Sequence, residues 1–554
     1  MSGLSTHPYA VERWTDGEAS VLNRYFTNLD QPVFALINLP EVVKGALFAR
    51  YSRTPKSLRR LFLDEFAEPA EVWEDPTSVP RPGGRSGPGP TMGVDRAEQL
   101  YQRVFSEYGD DSVAQLGGAH LACEQVSNVL TKVIERGRLM SYLEQSTRYI
   151  AYDDRVMGRY RYYRDPEILA SPFGMRYVAD VDSLFDTYRD LLPKMEAYFA
   201  QEFPRDPGDS EGVHRRAVRA KALDSLRGLL PAASLSNLGV FGSGQGYEAM
   251  LVRMRAHRLA EANSYSEMIL TELRKVIPSF LTRVDRPDRG GVWSEYLRDV
   301  DSATAAVAAA LFERATPDTA DEVTLVHFDP SAEEVLFAAM LYPYVDVPEA
   351  QIATRVATMA DEDRAQLVEA YVGERTNRRH KPGRALERVS YRFDVLSDYG
   401  AFRDLQRHRL LTIQWQALTA GHGYELPPEV ADAGVGDPYH AAMARSAALY
   451  AVLEEQFGLR ASYVVALGYR VRYSIEMNAR EALHMLELRS APAGHSSYRR
   501  VVQKMHHLIE HRAGHRHVAA MMRFVDHSNG GLERLGGERA AELRREAGES
   551  RGGS

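Results

Sequence analysis

Residues Arg136–Tyr149 read R-G-R-L-M-S-Y-L-E-Q-S-T-R-Y, and residues Arg407–Ala420 read R-H-R-L-L-T-I-Q-W-Q-A-L-T-A. Each follows a stretch with helically spaced apolar residues: Cys123, Val126, Leu130, Val133 and Ile134 before the first, Tyr399, Phe402 and Leu405 before the second. Each is followed by a long helical pattern, over Val181 to Phe203 and over Pro438 to Phe457. Each region then closes on a helix bearing an arginine, Arg255 in the first and Arg489 in the second. The same order occurs twice, so internal duplication is the simplest reading. The first copy is longer, and its excess falls after Tyr149.

Other signals fit this frame. Val323 to Phe328 is a short β-branched run, and Ser331-x-x-Glu334 reads as a capping box opening a helix. Val389 to Val395 alternates as a strand with one buried face, and Ser397 or Asp398 can cap the helix after it. Ser462 to Tyr473 reads as a further strand, and a helix starts near Asn478. The expected organisation is a first copy over 1–284 with a Pro/Gly-rich insertion at 79–93. A linker and amphipathic helix over 285–320, a second copy over 321–528 and a flexible tail over 529–554 complete it.

The 554 residues suit two domains. A formal charge of −8 argues against a nucleic-acid coat or an anionic-membrane binder, so an anionic ligand must be held by a few local arginines. The single cysteine, Cys123, excludes an intrachain disulfide and any multi-cysteine zinc site, and reads as a buried thiol in a helix. No apolar run approaches the ~20 residues needed to span a bilayer. Met1 to Thr15 carries no basic segment followed by an apolar one, so the cytoplasm is the expected compartment. His507, His511 and His515 are interrupted by Gly514, and no metal is expected there. Gly242-x-Gly244-x-Gly246 lacks the strand, spacing and following acid of a dinucleotide loop, so it reads as a degenerate counterpart of the segment at Asn478.

The first motif resembles R-H-R-x-x-S-x-N-E-x-S-x-R-Y, the signature of the flavin-dependent thymidylate synthases. It matches at Arg136, Arg138, Ser141, Glu144, Ser146, Arg148 and Tyr149, and departs at Gly137 and Leu143. The second copy keeps Arg407-His408-Arg409 but places Trp415, Ala417 and Thr419 at the later positions. A family R-x-x-L-P segment survives as Arg227 to Pro231 in the first copy only. The N-x-R segment and its following Leu-Arg pair survive as Asn478, Arg480, Leu488 and Arg489 in the second.

The resemblance implies an α+β fold with an antiparallel sheet and long helices in each copy. It implies reductive C5 methylation of dUMP or a related pyrimidine nucleotide, with FAD as cofactor and methylenetetrahydrofolate and NADPH as co-substrates. Ser146, Arg148 and Arg227 would hold the nucleotide phosphate, for which serine hydroxyls and guanidinium forks are suited. Arg407, His408, Arg409, Asn478, Arg480 and His484 would face the flavin, and Arg489 the pyrimidine. Glu144 either holds a ligand or neutralises nearby cations. Trp415, His484 and Leu143 could reshape the pocket. The family is homotetrameric, so a two-copy chain is expected to pair as a homodimer. The alternative is a non-catalytic or regulatory binder of flavin and nucleotide.

Overall fold

The computed structural model describes residues 9–39, 43–44, 47–48, 51, 54–67, 117–313, 321–528, 530–532 and 534–552. The expected insertion at 79–93 lies outside them. Among the described residues two four-stranded antiparallel sheets are present. The first contains β1 (Val33–Leu36), β2 (Gly118–Ser127), β3 (Met140–Glu144) and β4 (Leu235–Ser243), in the order β1-β2-β4-β3. The second contains β5 (Val323–Phe328), β6 (Ser390–Asp398), β7 (Leu411–Trp415) and β8 (Arg470–Asn478), in the order β5-β6-β8-β7. The shared strand order establishes the duplication at the level of topology, in an α+β fold. In β8 every second residue, Val471, Tyr473, Ile475 and Met477, is buried, as a period of two demands when one face meets a core.

The strand-to-helix junctions use the same device in both copies. At the end of β2 the Ser127 hydroxyl accepts from Leu130 N at 3.0 Å and starts α1 (Asn128–Ile134). Two long helices, α2 (Gly174–Glu202) and α3 (Glu211–Leu226), follow. At the end of β4 Ser243 caps α4 (Gly244–Ala256), and α5 (Ala260–Arg274) and α6 (Val292–Phe312) complete the first copy and the linker. In the second copy Asp398 caps α7 (Tyr399–Leu405), accepting from Ala401 N at 2.9 Å. The long helix is α8 (Gly436–Phe457). Asn478 then caps α9 (Ala479–Arg489), ahead of α10 (Ser496–His507) and α11 (Leu535–Gly552).

The compact units are not the sequential segments expected above. One unit comprises Met1–Phe185, Pro231–Thr316 and Ala448–Val464; the other comprises Asp186–Leu230, Pro317–Ala447 and Val465–Ser554. Two of the boundaries fall inside α2 and α8. A 29-residue helix is roughly 44 Å long, more than a small domain needs, so part of each copy's helical region belongs to the unit built on the other copy's sheet.

Several local expectations are corrected. Cys123 is buried in β2, since β-branched and small residues carry the strand to Ser127 before the helix begins. Ser462 to Val464 lies in a 3-10 turn, and the strand starts only at Arg470. Ser331 makes no side-chain cap; its own amide and hydroxyl donate to Asp329 Oδ1. Within the expected tail Leu535–Gly552 is a helix, and Arg534–Asp224, Arg216–Glu538 and Arg539–Asp209 ion pairs hold this segment to the second unit. A strand does precede the Gly242 to Gly246 segment, although Gly246 serves only as the donor to the Ser243 cap.

Candidate functional site

The second unit gathers three arginines around one carboxylate. Arg227 sits on the turn after α3, 3% exposed, and its Nη1 donates to Asp404 Oδ2 at 3.2 Å. Asp404, on α7, also takes Arg407 Nη2 and lies 3.9 Å from Arg489 Nη1. Asp398 is 3.8 Å from Arg227 Nη2. Arg227 Nε and Nη2 are buried without a hydrogen bond. They face the first turn of α7, where a Cβ on Gly400 would come within 3.0 Å of both nitrogens. A buried guanidinium with two unmet donors is costly, and an added anion would relieve it.

His408 lies beside this cluster with both ring nitrogens committed. Arg489 Nε donates to His408 Nε2 at 3.0 Å, and His408 Nδ1 lies 2.9 Å from Glu481 Oε1. The donor from Arg489 assigns the ring proton to Nδ1. Burial, and then the charges of Arg489 and Arg407, hold the His408 pKa well below the ordinary histidine value, so the ring is neutral. His484, whose ring is 5.5 Å from that of His408, is pushed down to about 4, chiefly by burial. Burial raises the Glu481 carboxyl. The site therefore offers cationic forks next to two neutral imidazoles.

His408, Glu481 and His484 bring ligand-type atoms within 4.8 Å of one another, which could suggest a cation. The bond from Arg489 argues otherwise. It keeps the proton on Nδ1, the nitrogen that faces Glu481 and would have to coordinate. Several neighbouring cations oppose a second positive charge as well.

Arg227, Arg407, His408, His484 and Arg489 are thus brought together, with Arg227 from the first copy and the others from the second. Arg409 is exposed at the end of the same turn. Asn478 spends its side chain as a helix cap, with Oδ1 accepting from Glu481 N at 2.9 Å. Arg480 donates to Pro382 O and Glu387 Oε1, both at 3.2 Å. The other expected residues belong to the first unit. Glu144 is buried and takes Lys132 Nζ at 3.2 Å, so it neutralises a lysine, and that lysine also pairs with Glu135. Ser146 and Arg148 are half-buried in the turn after β3, where Arg148 N donates to Ser146 Oγ at 3.2 Å. Sequence reasoning missed Asp404, Glu481 and Gly400. Asp404 and Glu481 lie three residues before Arg407 and His484, a spacing that faces them along a helix, and that signal could have found them.

The thymidylate synthase complementing protein family model matches residues 77–279 and 324–513. The chain belongs to this family. Its two matched segments fit the tandem form of the flavin-dependent thymidylate synthases. Among curated relatives, a UPF0159 protein of Chlamydia muridarum is 39% identical over 520 residues, covering 93% of this chain and 96% of its own. A UPF0159 protein of Chlamydia pneumoniae is 39% identical over 539 residues, covering 95% and 98%. One from Thermoplasma acidophilum is 31% identical over 522 residues, covering 89% and 97%. The two-copy length is therefore shared by these family members. No described helix is long and apolar enough to cross a membrane.

Proposed function

We propose that the chain is a flavin-dependent thymidylate-synthase-like enzyme that methylates dUMP, or a related pyrimidine nucleotide, at C5. The observation that carries this reading is Arg227, a first-copy residue buried among Arg407, Arg489 and the neutral His408 with two unmet donors. A site of this kind fits an anionic ligand bearing phosphate and a polar ring. FAD, when bound, supplies the hydride, with NADPH as reductant and methylenetetrahydrofolate as carbon donor. Arg407 and Arg409 supply positive charge toward the flavin, and His484 takes the flavin-side place beside them. Arg489 stabilises charge on the pyrimidine carbonyl, as preorganised donors do. The Nδ1–H bond to Glu481 fixes the His408 ring so that Arg489 is oriented by Nε2. Ser146 and Arg148 serve the nucleotide phosphate.

The chain is proposed to act as a homodimer. The exposed apolar residues Tyr296, Val300, Val307 and Leu311 along α6 support self-association. A second reading, a regulatory flavin and nucleotide binder, is favoured by the engagement of Asn478, Arg480 and Glu144 with protein groups. Purified protein given dUMP, methylenetetrahydrofolate, FAD and NADPH is expected to form dTMP. Binding of FAD and dUMP with no methylated product would select the second reading, and failure to bind flavin at all would overturn both.

A further inference from the structure

A cavity of about 510 Å³ opens in the first unit, within the range of small-molecule sites. One irregularity in β2 creates its floor. Pairing with β4 proceeds to Cys123↔Leu238 and resumes at Val126↔Ser236, which leaves Glu124 and Gln125 bulged. Gln125 takes φ 55°, a left-handed conformation that side chains disfavour. Its amide N donates to Asn237 Oδ1 at 2.9 Å, and Gln145 N donates to Asn237 O at 2.8 Å. The bulge therefore brings three side-chain amides, Gln125, Gln145 and Asn237, to one lining. A two-residue hairpin, with Val156 and Arg159 bridged across Met157 and Gly158, supplies another part of it. Met157 has φ 51°. Among the described residues three non-glycines have positive φ, and two of them line this cavity. Such outliers concentrate where a ligand site demands them.

The second copy has no equivalent bulge. β6 and β8 pair without a break from Ser390↔Asn478 to Asp398↔Arg470. The cavity is a property of the first copy and of the longer chain after Tyr149, not of the shared fold.

Its chemistry is specific. Each of the three amides has one atom engaged: Asn237 Oδ1 accepts from Gln125 N, Gln145 Nε2 donates to Thr54 O at 2.8 Å, and Gln125 Oε1 accepts from Ala10 N at 3.3 Å. Gln145 Oε1 and the side-chain nitrogens of Gln125 and Asn237 leave an acceptor and donors on one wall, the mixture that a nucleobase edge presents in return. Arg159, Arg161 and Arg164 also line the cavity, against Glu12, Asp154 and Glu124. Asp154 is already taken by Arg161 at 2.8 Å, and Glu12 by the Ser57 hydroxyl. Glu124 holds Tyr9, Tyr51 and Leu58 N, and burial raises its carboxyl toward the neutral form. The lining therefore sets three guanidinium groups against three carboxyls beside an amide wall, and Val156, Met157 and Leu235 supply apolar surface.

We propose that this cavity binds a heteroaromatic anion of nucleoside monophosphate size, with the ring edge on the amides and the phosphate on the arginines. It is a second ligand site, independent of the reading given for Arg227 and Arg407.

Calorimetric titration of the full chain with AMP, GMP, CMP and UMP, and with inorganic phosphate, tests it. At least one monophosphate should bind, and Val156→Trp, which fills the cavity, should weaken that binding about tenfold or more. FAD uptake and Tm should be unchanged in that variant, and Arg227→Ala should leave the binding intact. If Val156→Trp does not fold, Gln145→Leu should give the same loss, and hydrogen exchange over 154–161 should slow when the nucleotide is added. Binding that disappears in Arg227→Ala and ignores Val156→Trp would overturn the proposal, as would no monophosphate binding. Equal affinity for inorganic phosphate would overturn the heterocycle.

Discussion

The two copies solve one packing problem with the chemical roles exchanged. In the first unit the helix after β2 is capped by a hydroxyl, Ser127, and a buried acid, Glu261 of α5, holds that cap. Glu261 accepts from Ser127 N at 2.9 Å, from Ser127 Oγ at 2.6 Å and from Tyr463 Oη at 2.8 Å. In the second unit the cap is the acid, Asp398, and the hydroxyl of Ser497 on α10 holds it. Duplication kept the hydrogen-bonded pair and let the residues trade places. Only the second arrangement puts a carboxylate beside Arg227, at 3.8 Å, and so only there does the junction become part of a cationic cluster. Equivalent positions in a duplicated fold share geometry, and their charge decides which of them can serve a ligand.

The largest expected difference between copies concerns their buried ion pairs. Arg375 grips Glu487 with two bonds of 2.7 and 2.6 Å, and both side chains are essentially inaccessible. Glu487→Gln should cost about 3–5 kcal/mol, read as a lowered urea midpoint, because it strands a buried cation. Glu144→Gln in the first copy should cost clearly less, since Glu135 still neutralises Lys132. Equal losses would mean that the two pairs carry the same structural load.

Flavin binding should separate the copies next. Arg407→Ala is expected to weaken FAD binding by about 1.5–3 kcal/mol, the scale of a lost charge-assisted bond, with Arg136→Ala milder. Arg148→Ala should weaken nucleoside monophosphate binding on a similar scale while sparing flavin. Equal flavin loss in Arg407→Ala and Arg136→Ala would remove the asymmetry.

Asn478→Ala and Ser243→Ala remove corresponding helix caps and should each cost about 1 kcal/mol in thermal or urea unfolding. Should Asn478→Ala instead leave stability unchanged and abolish flavin uptake, its cap would be secondary to a ligand role.

The smallest effect is a pH slope. Burial lifts Glu261 from 4.5 to about 7, so the folded protein keeps a proton that the unfolded chain releases. The stability it contributes is complete below pH 4.5 and lost as pH rises through about 7. Glu261→Gln should flatten that decline and raise stability at pH 7. An unchanged slope would assign the pH dependence elsewhere, with Asp398, also raised by burial, as the next group to replace.

The sequence by itself determined the repeat, the strands β5 and β6 and several helix starts, because periodicity and capping are local and written in neighbouring residues. Asp398 and Asn478 were readable as caps or helix starts for that reason. The same locality misled at Cys123, where an apolar stripe at helical spacing was compatible with a strand and pairing to β4 chose between them. The motif marked Arg227, Arg407, His408 and Arg489, but not the company they keep. Arg227 and Asp404 lie 177 positions apart in the chain, and His408 and Glu481 lie 73 apart. Only the tertiary structure could spend Asn478 on a cap, bury Glu144 against Lys132 and open a cavity at a strand bulge. Each of these depends on which distant groups exclude water together, and burial sets both the charge state and the available partners of a polar side chain.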